Sequence, residues 1–109
     1  MNNNNTNINH ATLNLYNIFL TVAQTMNLSA ASKRLFISQP AISKAVKQLE
    51  NELGTTLFFR NSRGVQLTED GELLYSHIFN AFNEIATGEQ LLNSRKELGI
   101  GRIRFGASN

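Results

Sequence analysis

Apolar residues recur with heptad spacing through the last third of the chain. They are separated by four, three, four, three and four residues, and they are Leu74, Ile78, Ala81, Ile85, Gly88 and Leu92. A helix that carries this seam from Glu69 to Arg95 is about 40 Å long. The rest of a 109-residue chain is too small to cover it, so its apolar face requires a partner, most simply a second copy of the same helix. Gly88 either permits close approach of two helices or marks fraying.

The chain before this seam has the pattern of a helix-turn-helix. Apolar spacing predicts a first helix over Leu13–Met26 and a second over Ala30–Phe36, with Ser29 as its N-cap. A third helix begins after the N-cap Ser38 and ends before Gly54. The residues expected to face inward are Leu13, Tyr16, Phe19, Leu20, Ala23 and Met26 in the first helix, and Ala31, Leu35, Ile37, Ile42, Ala45, Val46, Leu49 and Leu53 beyond it.

Two β-prone segments follow the third helix. They are Thr56–Arg60 and Val65–Leu67, joined by a turn at residues 61–64. A lone hairpin is marginally stable in water, so we expect it to pack on the helices as a wing. Arg63 at the turn is a basic tip that can enter a DNA minor groove. The predicted fold is therefore mainly α: a winged helix-turn-helix, then a long helix capped by Thr68 and suited to dimerisation.

The outward face of the third helix carries polar and basic side chains, namely Gln39, Ser43, Lys44, Lys47 and Gln48. Gln pairs with adenine, Lys donates to guanine, and Ser adapts to either base, so this face fits a DNA major groove. The same residue types are also frequent on ordinary solvated helices. Residues 11–68 hold six basic and two acidic residues, net +4, which suits either a polyanionic partner or a solvated surface.

Composition excludes several classes of site. The absence of Cys excludes disulfides, Cys-based zinc sites and a Cys nucleophile. No apolar run approaches the roughly 20 residues of a membrane span, and the Asn-rich start lacks a signal-peptide pattern, so we expect a soluble cytoplasmic protein. His10 falls in the tail expected to be disordered, His77 has no partner pattern, and Asp70 suits a helix start. We therefore expect no catalysis, no metal and no cofactor.

Four motifs, in the same order and with the same gaps, resemble the DNA-binding region of LysR-type transcriptional regulators. They are Leu-Phe-Ile-Ser-Gln-Pro-Ala-Ile-Ser-Lys at 35–44, Gln-Leu-Glu-Asn-Glu-Leu-Gly at 48–54, Leu-Phe-Phe-Arg at 57–60 and Leu-Thr-Glu-Asp-Gly at 67–71. The Asn-rich residues 1–11 have too little apolar surface to bury and are expected to be a disordered tail. The resemblance implies a DNA-binding domain over 12–68. It also implies a linker helix over 69–97 that pairs antiparallel with its copy.

Residues 98–109 resemble the start of the family's effector-binding domain. Gly99 and Gly101 are expected to break the long helix, and Arg102–Phe105 alternates like a strand. We therefore expect this chain to be the N-terminal piece of a longer regulator, which by the resemblance is tetrameric and responds to a small-molecule effector through the missing domain.

The resemblance also implies roles for individual residues. Base contacts are expected from Gln39, Pro40, Ser43 and Lys44, and a minor-groove contact from Arg63. Phosphate contacts are expected from Ser29, Lys33, Arg34, Ser38, Lys47 and Arg60. The dimer interface is expected to include Leu74, Ile78, Ala81, Phe82, Ile85 and Leu92. The implied partner is double-stranded DNA carrying an inverted-repeat operator, bound by a homodimer, with no membrane involved.

Two residues depart from the family's pattern. Ser32 stands where a second alanine is usual, and its hydroxyl is expected to bond to a backbone carbonyl one turn back. Phe59 stands where an acid is common, so the hairpin is expected to pack slightly differently. The main alternative function is an oligomerisation module built on the Leu74–Leu92 seam. Replacing Gln39 and Ser43 separates the two, because it relaxes base preference only if DNA is read there.

Overall fold

The structure, a computed structural model, describes residues 9–103 and the side-chain surroundings of residues 9–97. The element order matches the prediction of a mainly helical winged helix-turn-helix followed by a long helix. The elements are α1 (His10–Thr25), α2 (Leu28–Leu35), α3 (Gln39–Leu53), β1 (Phe58–Asn61), β2 (Gly64–Leu67) and α4 (Glu69–Ile103). The first eight residues of the predicted tail lie outside the described residues. His10 and Ala11, also assigned to that tail, are helical.

The second helix begins two residues earlier than predicted. Its N-cap is Asn27, whose side-chain oxygen accepts a hydrogen bond from the Ala30 amide at 2.8 Å. Ser29 was the predicted cap, and that assignment is wrong, because Ser29 already lies in the first helical turn. α1 ends at Thr25, and its C-cap Met26 adopts the left-handed conformation with φ 54°. The link between the two helices is therefore only two residues long.

The third helix begins and ends where the sequence predicts. The Ser38 hydroxyl accepts a hydrogen bond from the Ala41 amide at 3.2 Å, and Pro40 lies in the first turn, where its missing N–H is not needed. Gly54 follows the helix with φ 72°, a left-handed conformation that suits glycine. Both ends of α3 are thus set by local sequence.

Two apolar clusters form the core of the described chain up to Ile78. One cluster contains the buried residues Ile18, Val22, Ala31, Ile42 and Val65, and the other contains Leu15, Phe19, Leu49 and Leu57. The partly buried Ala45 and Phe58 pack against both. Leu13 was expected in the core but is 42% exposed, and Leu53 is 43% exposed. Leu15 and Ile18 replace Leu13 because the buried face of α1 is rotated from the predicted stripe.

The hairpin packs against the helices, as expected for an isolated pair of strands. β1 and β2 are antiparallel, with Phe58 opposite Leu67 and Asn61 opposite Gly64. Val65 is buried among residues of the helices, and its amide donates to the carbonyl of Met26 at 3.4 Å. The wing is thereby attached to the corner between α1 and α2.

The long helix extends beyond its predicted end. It begins as expected, with the Thr68 hydroxyl accepting from the Gly71 amide at 3.0 Å. It then continues through Gly99 and Gly101 to Ile103. The predicted break is wrong, because a helical glycine costs only about 1 kcal/mol relative to alanine and no proline follows. Arg102 and Ile103, assigned to a strand, are therefore helical, and the rest of that strand lies outside the described residues.

The chain divides into two units within α4, between Ile78 and Phe79. The first unit contains the clusters and the wing described above. The second contains the remainder of α4, where most described side chains are exposed. Among the described residues, none of the helices is both long and apolar enough to cross a bilayer.

Candidate nucleic-acid interface

One face of α3 is buried in the clusters, and the opposite face points away from them. Ile42 and Leu49 are buried, whereas Gln39, Pro40, Lys44 and Lys47 are exposed and Ser43 is half-buried. Positions 40, 43, 44 and 47 are three or four residues apart, so they share one side of the helix. The structure therefore brings together all four predicted base-contacting residues and Lys47, with Ser38 exposed at the start of the helix.

Ser32 holds the turn that precedes this helix. Its carbonyl accepts from the amides of Phe36 and Ile37 at 2.9 and 3.3 Å. Its hydroxyl donates to the carbonyl of Ile37. The expected bond to a carbonyl one turn back is therefore wrong, since the hydroxyl reaches forward across the turn. Leu35 and Ile37 pack against the first cluster on either side of the exposed Phe36.

Glu50 connects the end of α3 to the wing. One of its carboxylate oxygens, Oε2, accepts from the amides of Leu57 and Phe58 at 2.7 and 3.2 Å. The sequence interpretation gave Glu50 no role. The one signal available was an acid in the otherwise basic stretch of residues 11–68, where Glu52 is the only other acid.

A second set of bonds connects the start of the wing to the start of α4. The Thr68 amide donates to the carbonyl of Leu57 at 2.9 Å, and the Thr68 hydroxyl donates to the carbonyl of Thr56 at 2.7 Å. The Thr55 hydroxyl donates to the carboxylate of Asp70. Asp70, expected only to stabilise the helix start, therefore also holds the loop before β1.

Arg60 and Ser43 meet between the wing and α3. The Nη2 of Arg60 donates to the Oγ of Ser43 at 3.2 Å. They line an open cleft of about 270 Å³ together with Lys47 and Glu50, above an apolar floor that includes Val46 and Phe58. Sequence reasoning proposed both Arg60 and Ser43 as DNA contacts but had no signal for the bond between them.

The tip of the wing is an ordered turn. The Asn61 side-chain oxygen accepts from the Arg63 amide at 2.8 Å, and Gly64 has φ 119°. A Cβ on Gly64 would lie 3.0 Å from the carbonyl oxygen of Met26. Both the positive φ and this close approach therefore favour glycine at position 64. The Arg63 side chain is exposed at this tip.

The remaining predicted phosphate contacts lie on α2. Ser29, Lys33 and Arg34 are all exposed. The Nη1 of Arg34 donates to the side-chain oxygen of Gln24 on α1 at 3.1 Å. Arg34 is therefore partly engaged within the chain, and Lys33 lies beside it in the last turn of α2.

The predicted dimer residues differ in their surroundings. Leu74 and Ile78 are half-buried and pack against the second cluster of their own chain. Further along α4, Ala81, Ile85 and Leu92 are exposed and Phe82 is half-buried. Ile85 and Leu92 leave more than half of their surface uncovered within the chain, at 56% and 58% exposed. Within the described part of the chain, no three His, Cys, Asp or Glu side chains lie close enough to hold a metal ion.

Comparison with known proteins identifies a family. Residues 13–72 match the family model described as bacterial regulatory helix-turn-helix protein, lysR family. The chain is 43% identical over 98 residues to the HTH-type transcriptional regulator XapR of Escherichia coli (strain K12), covering 86% of this chain and 32% of XapR. It is 38% identical over 89 residues to the regulator AlsR of Bacillus subtilis (strain 168), covering 80% and 30%. The chain thus spans about a third of the length of these relatives.

Solved structures are similar to it as well. The CbnR DBD–DNA complex matches with a TM-score of 0.65 and 29% identity, covering 75% of this chain and 94% of that one. The BenM DBD complex with benA site 1 DNA matches with a TM-score of 0.66 and 28% identity, covering 79% and 96%. Full-length CbnR with its target DNA matches with a TM-score of 0.62 and 32% identity, covering 76% and 28%.

Proposed function

This chain belongs to the LysR family of bacterial regulatory helix-turn-helix proteins, and from that membership we propose that it reads an inverted-repeat operator as a dimer. In this proposal α3 lies in the major groove and the wing reaches the minor groove. The observation that carries it is the exposed polar and basic face of α3, opposite the buried Ile42 and Leu49. The DNA complexes of the similar CbnR and BenM domains support a DNA partner.

Base contacts come from Gln39, Pro40, Ser43 and Lys44. Gln39 and Lys44 have the donors and acceptors that distinguish base edges in the major groove, and Pro40 offers an apolar contact. They lie in the first turns of α3, the part of a recognition helix that approaches bases. The buried face of α3 and its two caps keep these side chains in a fixed direction, which favours specific binding.

Phosphate contacts set the register of the protein on the duplex. The exposed Lys33 and Arg34 lie in the last turn of α2, and the exposed Lys47 and Arg60 line the cleft beside α3. The hydroxyls of Ser29 and Ser38 are neutral donors. Neutralised phosphates release counterions, so affinity falls as salt rises. Arg63 at the ordered wing tip is placed by this proposal in a flanking minor groove, with a preference for narrow A·T-rich sequence.

Dimerisation through α4 gives the protein two DNA-reading surfaces, one from each chain. The exposed Ala81, Ile85 and Leu92, with Phe82, form the apolar face that a second α4 covers. Leu74 and Ile78 contribute to this face the part of their side chains that the second cluster leaves exposed. A two-fold axis then presents two recognition helices to successive major grooves on one side of the duplex, which requires an inverted repeat.

The whole protein is proposed to be a cytoplasmic regulator that senses a small molecule. Relatives such as XapR are about three times as long as the matched region. In the proposal, their additional length corresponds to an effector-binding domain and to the contacts that assemble a tetramer. The 109 residues by themselves then bind DNA without responding to an effector.

Selection from random duplex DNA tests this function. The expected result is an enriched inverted repeat with half-sites about one helical turn apart, or a multiple of it, bound with an affinity that falls as salt rises. The matched control is the double variant Gln39→Ala with Ser43→Ala, which should lose base preference while dimerisation and salt-dependent binding persist. Enrichment of no sequence, with stable dimers in solution, would instead establish an oligomerisation module with a basic surface.

A further inference from the structure

Phe36 is an aromatic residue that the fold leaves almost entirely in water. Its side chain is 92% exposed, more than any other large apolar residue of the described part of the chain. Its backbone has φ 60°, in the left-handed region that bulky residues rarely occupy. Exposed apolar residues are ordinary when they occur singly. An exposed aromatic residue with a left-handed backbone is unusual, because glycine or asparagine would adopt this conformation with less strain.

The turn fixes the backbone at Phe36. The Phe36 amide bonds to the Ser32 carbonyl at 2.9 Å, and the adjacent Ile37 is held to Ser32 through both its amide and its carbonyl. Leu35 and Ile37 pack into the first cluster on either side. Because Leu35 and Ile37 are packed inward, the side chain of Phe36 between them is left in water.

The location of the ring connects it to the recognition helix. Phe36 precedes the N-cap Ser38 by two residues, and the exposed Gln39 and Pro40 follow at once. Phe36 is thus an exposed residue only three positions before the exposed first residue of α3. A phenyl ring has no hydrogen-bonding group for a phosphate or a base edge. The apolar group that a major groove does offer is the 5-methyl of thymine.

We propose that the ring of Phe36 contacts the 5-methyl group of a thymine in each half-site and makes the protein selective for thymine there. This inference rests on the proposed function, since it requires α3 to lie in the major groove. It adds a specificity-determining residue from outside the helix. An alternative apolar partner in DNA is the deoxyribose, which every nucleotide carries and which would give no base preference.

Deoxyuridine distinguishes the two partners, because it lacks only the 5-methyl group. The probe is the duplex selected above, with each thymine replaced singly by deoxyuridine. At one thymine per half-site the natural chain should lose affinity by about fourfold, the factor for one buried methyl-sized group. Phe36→Asn, which favours the left-handed backbone, should show no loss at that thymine. Phe36→Leu, which keeps an apolar side chain, should show a smaller loss.

Leu53→Ala is the matched control. Leu53 is also an exposed apolar residue, 43% exposed, but it ends α3, about 20 Å along the helix from Gln39. This variant should keep the full sensitivity to deoxyuridine. Circular dichroism of every variant confirms that the fold is retained.

The outcomes separate this inference from the proposed function. An equal deoxyuridine effect in the natural chain and in Phe36→Asn overturns the thymine contact while DNA reading stands. A uniform loss of affinity in Phe36→Asn, with no deoxyuridine effect in the natural chain, assigns the ring to the sugar and also overturns it. If selection enriches no sequence at all, the proposed function fails and the inference fails with it.

Discussion

Arg60 of the wing donates a hydrogen bond from Nη2 to the Oγ of Ser43 on α3, across 3.2 Å. The bond connects a proposed phosphate contact to a proposed base contact. It leaves the other nitrogens of the planar guanidinium available to a phosphate, since this group carries five N–H donors. In the proposed complex, this one pair of side chains couples base reading by α3 to backbone contact by the wing.

Arg60→Ala should weaken binding to the selected duplex and reduce its salt dependence. Loss of one phosphate contact lowers the slope of log affinity against log salt by about one. Combined with Ser43→Ala in a double-mutant cycle, the two changes should be non-additive by roughly 0.5–1 kcal/mol of binding free energy. The measurement is fluorescence anisotropy at several salt concentrations. Arg95→Ala, at an exposed cation of α4, is the control and should leave the slope unchanged. An unaltered slope in Arg60→Ala would limit Arg60 to orienting Ser43.

Glu50→Ala should destabilise the fold. The half-buried carboxylate accepts from two amides at the start of the wing, and removing it leaves the Leu57 and Phe58 N–H groups without this acceptor. The expected loss is roughly 1.5–3 kcal/mol of unfolding free energy, the range for hydrogen bonds to a charged group. Urea denaturation measures it. Glu52→Ala removes an exposed carboxylate that bonds only to Gln48 among the contacts described, and should change stability by less than about 0.5 kcal/mol. Equal effects of the two substitutions would contradict the assigned role of Glu50.

Gly71→Ala should destabilise the junction between α4 and the wing. A Cβ at this position would lie 2.1 Å from the carbonyl oxygen of Leu57, so helix or strand must shift, at a cost of roughly 3 kcal/mol. Gly88→Ala is a matched substitution in the same helix, with nothing within 4 Å of the added Cβ. It should stabilise the helix by about 0.5–1 kcal/mol. Thermal unfolding followed by circular dichroism compares them, and an equally tolerated Gly71→Ala would refute the close packing.

The same Gly88 variant resolves the role of glycine in the seam. If two α4 helices approach each other closely at Gly88, the added methyl group weakens the dimer although the helix itself is stabilised. If Gly88 only marks fraying, dimerisation is unaffected or strengthened. Sedimentation equilibrium measures the difference.

Ile85→Asp should convert the dimer to a monomer. Ile85 is 56% exposed within its chain, so a charge there leaves the monomer folded but is desolvated without a partner in a helix pair. Ile78→Asp is a poorer test, since Ile78 packs against the second cluster of its own chain. Analytical ultracentrifugation detects the change, and loss of two-site DNA binding should accompany it. Asn83→Asp adds a charge at another exposed position of α4 and should remain dimeric. A dimeric Ile85→Asp would place the interface elsewhere.

Local chemistry explains which parts of the fold were predictable. Ser38, Gly54 and Thr68 act within one turn of their own position, and the structure confirms the role of each. Asn27 and Ser29 are both good N-cap residues, and the choice between them depends on where α1 ends. α1 ends at Thr25 because its C-cap Met26 is left-handed, a conformation that no propensity assigns to methionine.

Long-range contacts explain what was missed. Glu50 accepts from amides seven and eight residues away, and Arg60 donates to a residue seventeen positions earlier. Neither pairing produces a pattern in the sequence, because helix and strand periodicity concerns residues only two to four positions apart. The rotation of α1 that buries Leu15 and exposes Leu13 depends on how the helix packs against β1 and α3. Apolar spacing alone did not determine which face of α1 is buried.

At the wing tip, the residues that stabilise the turn are different from the residue proposed to contact DNA. Asn61 and Gly64 meet the conformational demands of the turn, through a side-chain bond to the Arg63 amide and a positive φ beside the Met26 carbonyl. The side chain of Arg63 meets none of them. The side chain at position 63 can therefore change while the hairpin stays folded, and under the proposed minor-groove contact such a change would alter the preference for flanking sequence alone.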